Sequence, residues 1–142
     1  MRLVSTRLAT TAVLALALPT ASQALDVYSI SLSGPNESPA NASPGTGSGT
    51  VTFDMSASTL RVEVTFTGLL SNVTNAHIHC CTPASGAGTA GVATVTPTFT
   101  SFPAGATFGS YDRTFNMTAA TGSWNNAFVT ANGSTTSRLS PR

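Results

Sequence analysis

Apolar and polar positions alternate with period two in several short runs, and beyond residue 24 no stretch of ten or more residues keeps apolar positions at helical spacing. Helix is therefore expected to be scarce. Tyr28, Ile30 and Leu32 alternate with Ser29, Ser31 and Ser33, which predicts a first strand closed by Gly34-Pro35. Pro39 to Gly49 reads as a turn-rich connection, because Pro and Gly punctuate small polar residues there. Val51, Phe53 and Met55 then alternate with Thr50, Thr52 and Asp54. After a turn at Ala57-Ser58, Val62, Val64 and Phe66 alternate with Arg61, Glu63, Thr65 and Thr67. This is the clearest hairpin in the chain, each strand offering one apolar and one wetted face. Gly68 should end its second strand, with Leu69 and Leu70 tucked under the loop that follows.

The later pattern is weaker. A short strand is expected around Asn75 to Cys80, a small-residue loop from Pro83 to Gly91, and a strand at Val92 to Thr96. Phe99 to Gly105 reads as an irregular connection. Thr107 to Thr118 alternates again, with Tyr111, Phe115 and Met117 on one face and Arg113 at the edge of that face. Trp124 and Phe128 supply the last core material, and the tail beyond Asn132 is expected to be disordered. Six or seven short strands separated by turns predict an all-β domain, either an antiparallel β-sandwich or a partly open Greek-key barrel.

The first 24 residues follow a different logic. Arg2 and Arg7 precede an apolar run from Leu8 to Leu18, then Pro19 and the small-residue stretch Ser22-Gln23-Ala24. These are the parts of a secretory signal peptide, with cleavage expected after Ala24. A retained membrane anchor fits less well, since the run rises only about 16 Å as a helix. The chain then divides into a signal peptide over residues 1–24, one β domain over 25–133 and a tail over 134–142. The expected location is periplasmic or secreted.

Composition narrows the partners. In the mature part Asp26, Glu37, Asp54, Glu63 and Asp112 face Arg61, Arg113, Arg138 and Arg142, a net charge of −1 without any lysine. So sparse a charge releases few counterions from nucleic acid and draws little on an anionic bilayer, so neither nucleic acid nor membrane is expected as a partner of the mature form. Ser, Thr and Asn carry the polarity and favour strands and turns. Five N-x-Ser/Thr triplets begin at Asn36, Asn41, Asn72, Asn116 and Asn132, but a chain of this composition produces them by chance.

One segment concentrates chemistry: Asn75-Ala76-His77-Ile78-His79-Cys80-Cys81. On a strand His77, His79 and Cys81 share one face. Imidazoles two residues apart can aim at a common centre, and imidazole with thiolate suits zinc or copper. The competing reading is a pair of solvated or loop-bonded histidines, since a durable site needs three or four ligands. Cys80 and Cys81 allow a vicinal disulfide or buried thiols first, then a bridge to another chain, and last a redox pair. No G-x-S-x-G elbow, phosphate loop or H-E-x-x-H occurs, and nothing local tunes Asp112 or Glu37 as an acid/base pair, so no enzyme activity is expected.

Taken in order, these pieces resemble the CHRD domain, named after chordin and common in secreted bacterial proteins. The resemblance is carried by Gly34-Pro35-Asn36-Glu37-Ser38-Pro39, by Gly47-Ser48-Gly49-Thr50 leading into Val51-Thr52-Phe53, by Val62 to Leu69, and by Ala76-His77-Ile78-His79. Cys80-Cys81-Thr82, Gly86 to Thr94 and Tyr111-Asp112-Arg113-Thr114-Phe115 resemble a bacterial single-domain subgroup with the His-Ile-His-Cys-Cys element. The resemblance implies an extracytoplasmic β domain without established enzymatic activity. The family usually closes with an N-x-H-T strand and a G-G-E-I-R-G element, neither of which follows Asn132-Gly133. A truncated or frame-shifted terminus is therefore expected, leaving an open sheet edge and no additional histidine or glutamate beside His77 and His79.

Three functions compete. The first is a secreted, non-catalytic binding or structural module for an extracytoplasmic protein or glycan, with self-association through the open sheet edge or Cys80/Cys81. The second is a copper- or zinc-binding redox protein using His77 and His79, by analogy with the H-x-H strand of copper/zinc superoxide dismutases. The third is a truncated product with no function of its own.

Overall fold

The computed structural model of the chain describes residues 25–84, 87–118 and 123–133. The expected signal segment, its cleavage point and the tail lie outside them. Four strands form one antiparallel sheet: β1 (Asp26–Ser33), β2 (Thr46–Asp54), β3 (Thr59–Thr67) and β4 (Gly109–Asn116). They lie in the order β1-β2-β3-β4, an open sheet with β1 and β4 at its edges. The predicted hairpin is present in register, with Val51 opposite Val62 and Phe53 opposite Leu60. Asp54 organises its turn: the carboxylate accepts from the Ser56 hydroxyl at 2.6 Å and the Ala57 N–H at 2.8 Å. Ser58 takes a left-handed conformation (φ 52°) to reverse the chain.

β2 starts at Thr46, inside the segment expected to be a turn. Gly47 and Gly49 belong to a strand because β3 runs against their backbone. A Cβ on Gly47 would lie 2.7 Å from the Thr65 carbonyl oxygen, and one on Gly49 would collide with that of Glu63. Pairing carries four rows of residues across the inner face: Asp26, Phe53, Leu60, Phe115; Tyr28, Val51, Val62, Arg113; Ile30, Gly49, Val64, Tyr111; Leu32, Gly47, Phe66, Gly109. The outer face carries Ser and Thr with Arg61, whose guanidinium forms a forked pair with Asp112 at 2.9 and 2.7 Å and also meets Glu63 at 2.9 Å.

The core lies over β3 and β4. Leu60, Val62, Tyr111 and Phe115 are buried beneath Ala93, Phe99, Met117 and Trp124, each large side chain contributing about 1.5–3 kcal/mol. The Trp124 indole donates to the Met117 carbonyl at 3.0 Å, so its polar edge is satisfied inside this cluster. Arg113 stays at the edge of its face. Its guanidinium carbon lies 5.7 Å from the Phe115 ring centroid, and Nη1 donates to the Thr100 carbonyl at 3.3 Å.

Several expectations change. Four strands form among the described residues, where six or seven were expected. The segments 75–80 and 92–96 form no continuous ladder: they share one isolated bridge, His79 with Val92, and the second segment makes another, Thr94 with Trp124. Side chains interrupt the ladder there: the Ala76 N–H donates to Thr98 Oγ1 at 2.9 Å and the Ile78 N–H to Thr94 Oγ1 at 2.8 Å, in place of carbonyls. Phe128 lies on a short helix, α1 (Asn126–Ala131), capped by the Asn125 side chain, which accepts from the Ala127 N–H at 2.9 Å. Leu70, expected under a loop, is 80% exposed. No helix among the described residues is long and apolar enough to cross a membrane.

Candidate functional site

Burial falls steadily across the sheet. On the inner face Tyr111 is buried in β4, Val62 and Phe66 in β3 and Val51 in β2, whereas Tyr28 and Leu32 in β1 are 46% and 39% exposed. The irregular segments 73–80 and 91–102 cover β3 and β4 and stop short of β1. What remains is a groove of about 750 Å3. Val51, Val62 and Val64 form its floor, and Gly47 and Gly49 add no side chains to the row positions beside them. One wall carries Ile30 and Leu32 with the 3-10 turn Gly34–Asn36 and the loop beyond it. The opposite wall is Val73 to His79, backed by Phe99 and Phe102. Glu37 is the one carboxylate of its lining, and the ion pairs of the described residues leave it out.

His77 and His79 stand on the Val73 to His79 wall with ring centroids 4.8 Å apart and planes tilted by 53°. His77 Nδ1 lies 3.2 Å from the Pro97 carbonyl oxygen and His79 Nδ1 2.7 Å from that of Ala90. A carbonyl only accepts, so each Nδ1 carries a proton in these contacts and Nε2 is the ring nitrogen open to a ligand. The expected face-sharing of the two histidines is thus realised, with both rings anchored from behind. Cys81 does not join them as a thiolate, because it forms a disulfide with Cys80, one of the foremost alternatives for this pair. Among the described residues no group of three or more His, Cys, Asp and Glu side chains comes together. Asp112 is committed to Arg61, which holds its carboxyl below the ordinary 3.8.

The groove escaped the sequence reading because it is made by what fails to cover β1, and periodicity reports only which face of a strand is apolar. A usable signal did exist: Gly47 and Gly49 alternate within a run that continues into a strong strand.

The family model described as the CHRD domain matches residues 28–136 of the chain. No curated protein and no solved structure matches.

Proposed function

Because the chain belongs to the CHRD domain family, whose domains occur in secreted proteins, we propose that it is a non-catalytic extracytoplasmic binding module whose binding surface is the apolar groove between β1 and the Val73 to His79 wall. The observation that carries this reading is the inner face of β1, left uncovered by the described residues, where Ile30 and Leu32 with Val64 of β3 line a concave surface beside a single carboxylate. Concave apolar surface with a few polar groups at its rim is what ligand sites offer. Its apolar floor of Val51, Val62 and Val64 favours an apolar stretch of protein over a glycan. The chain is secreted to the periplasm or beyond, and the sheet with its partial second layer is a sandwich open along one side. The hydrophobic dye 8-anilinonaphthalene-1-sulfonate tests the site. The folded chain should bind it saturably, Leu32→Glu should weaken binding about tenfold, and Thr52→Glu on the outer face should leave it unchanged. Equal binding by all three proteins would refute the assignment.

A second reading rests on the paired Nδ1 anchors. Two rings held from behind by carbonyl oxygens present their Nε2 atoms ready for a metal, an arrangement that carbonyl or carboxylate partners commonly enforce on histidine ligands. In this reading the pair holds copper or zinc, with the remaining positions taken by solvent or a second molecule, and only copper would add redox chemistry. Metal content of purified protein, lost on replacing both histidines by alanine, is the discriminating measurement.

A further inference from the structure

The wall of the groove is itself an unfinished sheet edge. In an extended segment the backbone groups of successive residues point to opposite sides. On one side, Ala76, Ile78 and Cys80 are bonded to the 91–99 segment: Phe99 N–H to the Ala76 carbonyl at 2.8 Å, Ala93 N–H to the Ile78 carbonyl at 2.8 Å, and Cys80 N–H to the Gly91 carbonyl at 3.1 Å. On the other side, the N–H and C=O groups of Asn75, His77 and His79 make no hydrogen bond among the described residues. That side borders the groove.

We infer that the groove accepts an extended polypeptide segment of a partner protein, which adds as a strand along Asn75 to His79 and lowers alternate side chains onto Ile30, Leu32 and Val64. This rests on the groove being the binding surface, and it names the occupant. Three lines fix the chemistry. The open edge spans five residues, about 16 Å of extended chain, the length of an ordinary strand. The floor is apolar and the wall beyond it offers backbone groups, which together suit a chain with apolar residues at every second position. The charge at the site is the Glu37 carboxylate, which disfavours an acidic segment and favours a basic residue at one end. The incoming strand lies beside Ala76 and Ile78 in the second layer and covers the part of β1 that the described residues leave exposed.

The test uses the mature chain and a labelled nine-residue peptide alternating valine and threonine with one terminal arginine. Two further peptides carry N-methyl groups on all valines or on all threonines, which removes the N–H donors along one side only. Fluorescence anisotropy should show saturable binding of the parent, a loss of about tenfold or more for one methylated peptide, and little change for the other. An antiparallel addition makes the threonine-methylated peptide the weak one, and a parallel addition the valine-methylated one. Amide hydrogen exchange should slow at Asn75, His77 and His79 on binding. Equal affinity of all three peptides overturns strand addition while leaving the groove as binding surface. Dye binding without any peptide binding overturns it too, and loss of dye binding as well removes the underlying reading. If the amides of His77 and His79 are already protected and open on truncation after Gly133, the chain's own end is the occupant. If their protection rises with protein concentration together with a dimer mass in ultracentrifugation, a second copy is. Either result refutes a foreign segment.

Discussion

The Tyr111 hydroxyl donates to the Thr100 carbonyl at 2.9 Å and so ties the inner face of β4 to the irregular crossing that carries Phe99 and Phe102. The ring stacks on Phe99 while its polar tip finds a partner, which lets a phenol sit in an otherwise apolar cluster. Burial raises its pKa above the ordinary 10.0. The sign follows from linkage: the unfolded chain ionises first, so the contribution of this group is complete below pH 10 and lost as pH rises through the raised value. Tyr111→Phe should cost about 0.5–1.5 kcal/mol near neutrality through the missing hydrogen bond, and should then show a flatter stability profile above pH 10 than the parent. Urea unfolding at a series of pH values reads both effects, and an equal alkaline decline in both proteins would contradict the assignment.

Leu60 and Leu70 separate burial from mere hydrophobicity. Leu60 is 2% exposed between Phe53 and Phe115 on the inner face, and Leu70 is 80% exposed. Leu60→Ala should destabilise the fold by about 2–5 kcal/mol, through lost burial and an incompletely collapsed cavity. Leu70→Ala should change stability by less than about 0.5 kcal/mol. Denaturant midpoints at constant slope are the measurement, and similar values for the two variants would mean that the core does not lie over β3 and β4.

Much of this framework was legible because the sheet obeys period two wherever one face is buried. Val51, Phe53, Val62, Val64 and Phe66 announce β2 and β3, and Tyr111 and Phe115 announce β4. The vicinal disulfide was among the first options for Cys80 and Cys81. The segment from Asn75 to Cys80 was legible as extended but not as an interrupted strand, because the threonine hydroxyls that replace carbonyl acceptors at Ala76 and Ile78 come from residues 98 and 94 and leave no local periodicity. Helix α1 spans six residues, too few for a 3.6-residue repeat to emerge, although Asn125 is a recognisable cap. Leu69 and Leu70 misled in part for the opposite reason: two adjacent leucines point different ways, and only one of them finds cover.

Arg61 and Asp112 link β3 to β4 across the outer face, and the guanidinium holds the Asp112 carboxyl below its ordinary 3.8. A carboxylate with a lowered folded value contributes stability above its unfolded pKa and loses it as pH falls through the lowered one. The decline should therefore lie below pH 3.8. Asp54, lowered by the Ser56 hydroxyl and the Ala57 N–H of its turn, acts in the same window. Both groups are exposed to solvent, so the effect should be small and salt-sensitive for the Arg61 pair. Asp112→Asn should flatten part of the acid limb of the thermal midpoint, and Asp54→Asn another part. An acid limb unchanged in the double variant would show that neither contact persists in solution.

The anchored imidazoles and the disulfide together order the metal affinities of the parent chain and two variants. In the oxidised chain His77 and His79 offer two Nε2 ligands and Cys81 offers no thiolate, so zinc should bind weakly and be removed by a mild chelator. Reduction frees the Cys81 thiol close in sequence to His79, and a third ligand should tighten zinc binding by at least about tenfold. Replacing His77 and His79 together by alanine should weaken binding in both redox forms, and Cys81→Ser should abolish only the gain on reduction. Titration calorimetry of the three proteins, each oxidised and reduced, with free thiols counted in parallel, separates these contributions. Zinc affinity that ignores the histidine pair would leave the Nδ1 contacts to Pro97 and Ala90 as purely structural bonds. In that case His79, whose contact is the shorter, should cost more stability than His77 when each is changed to alanine.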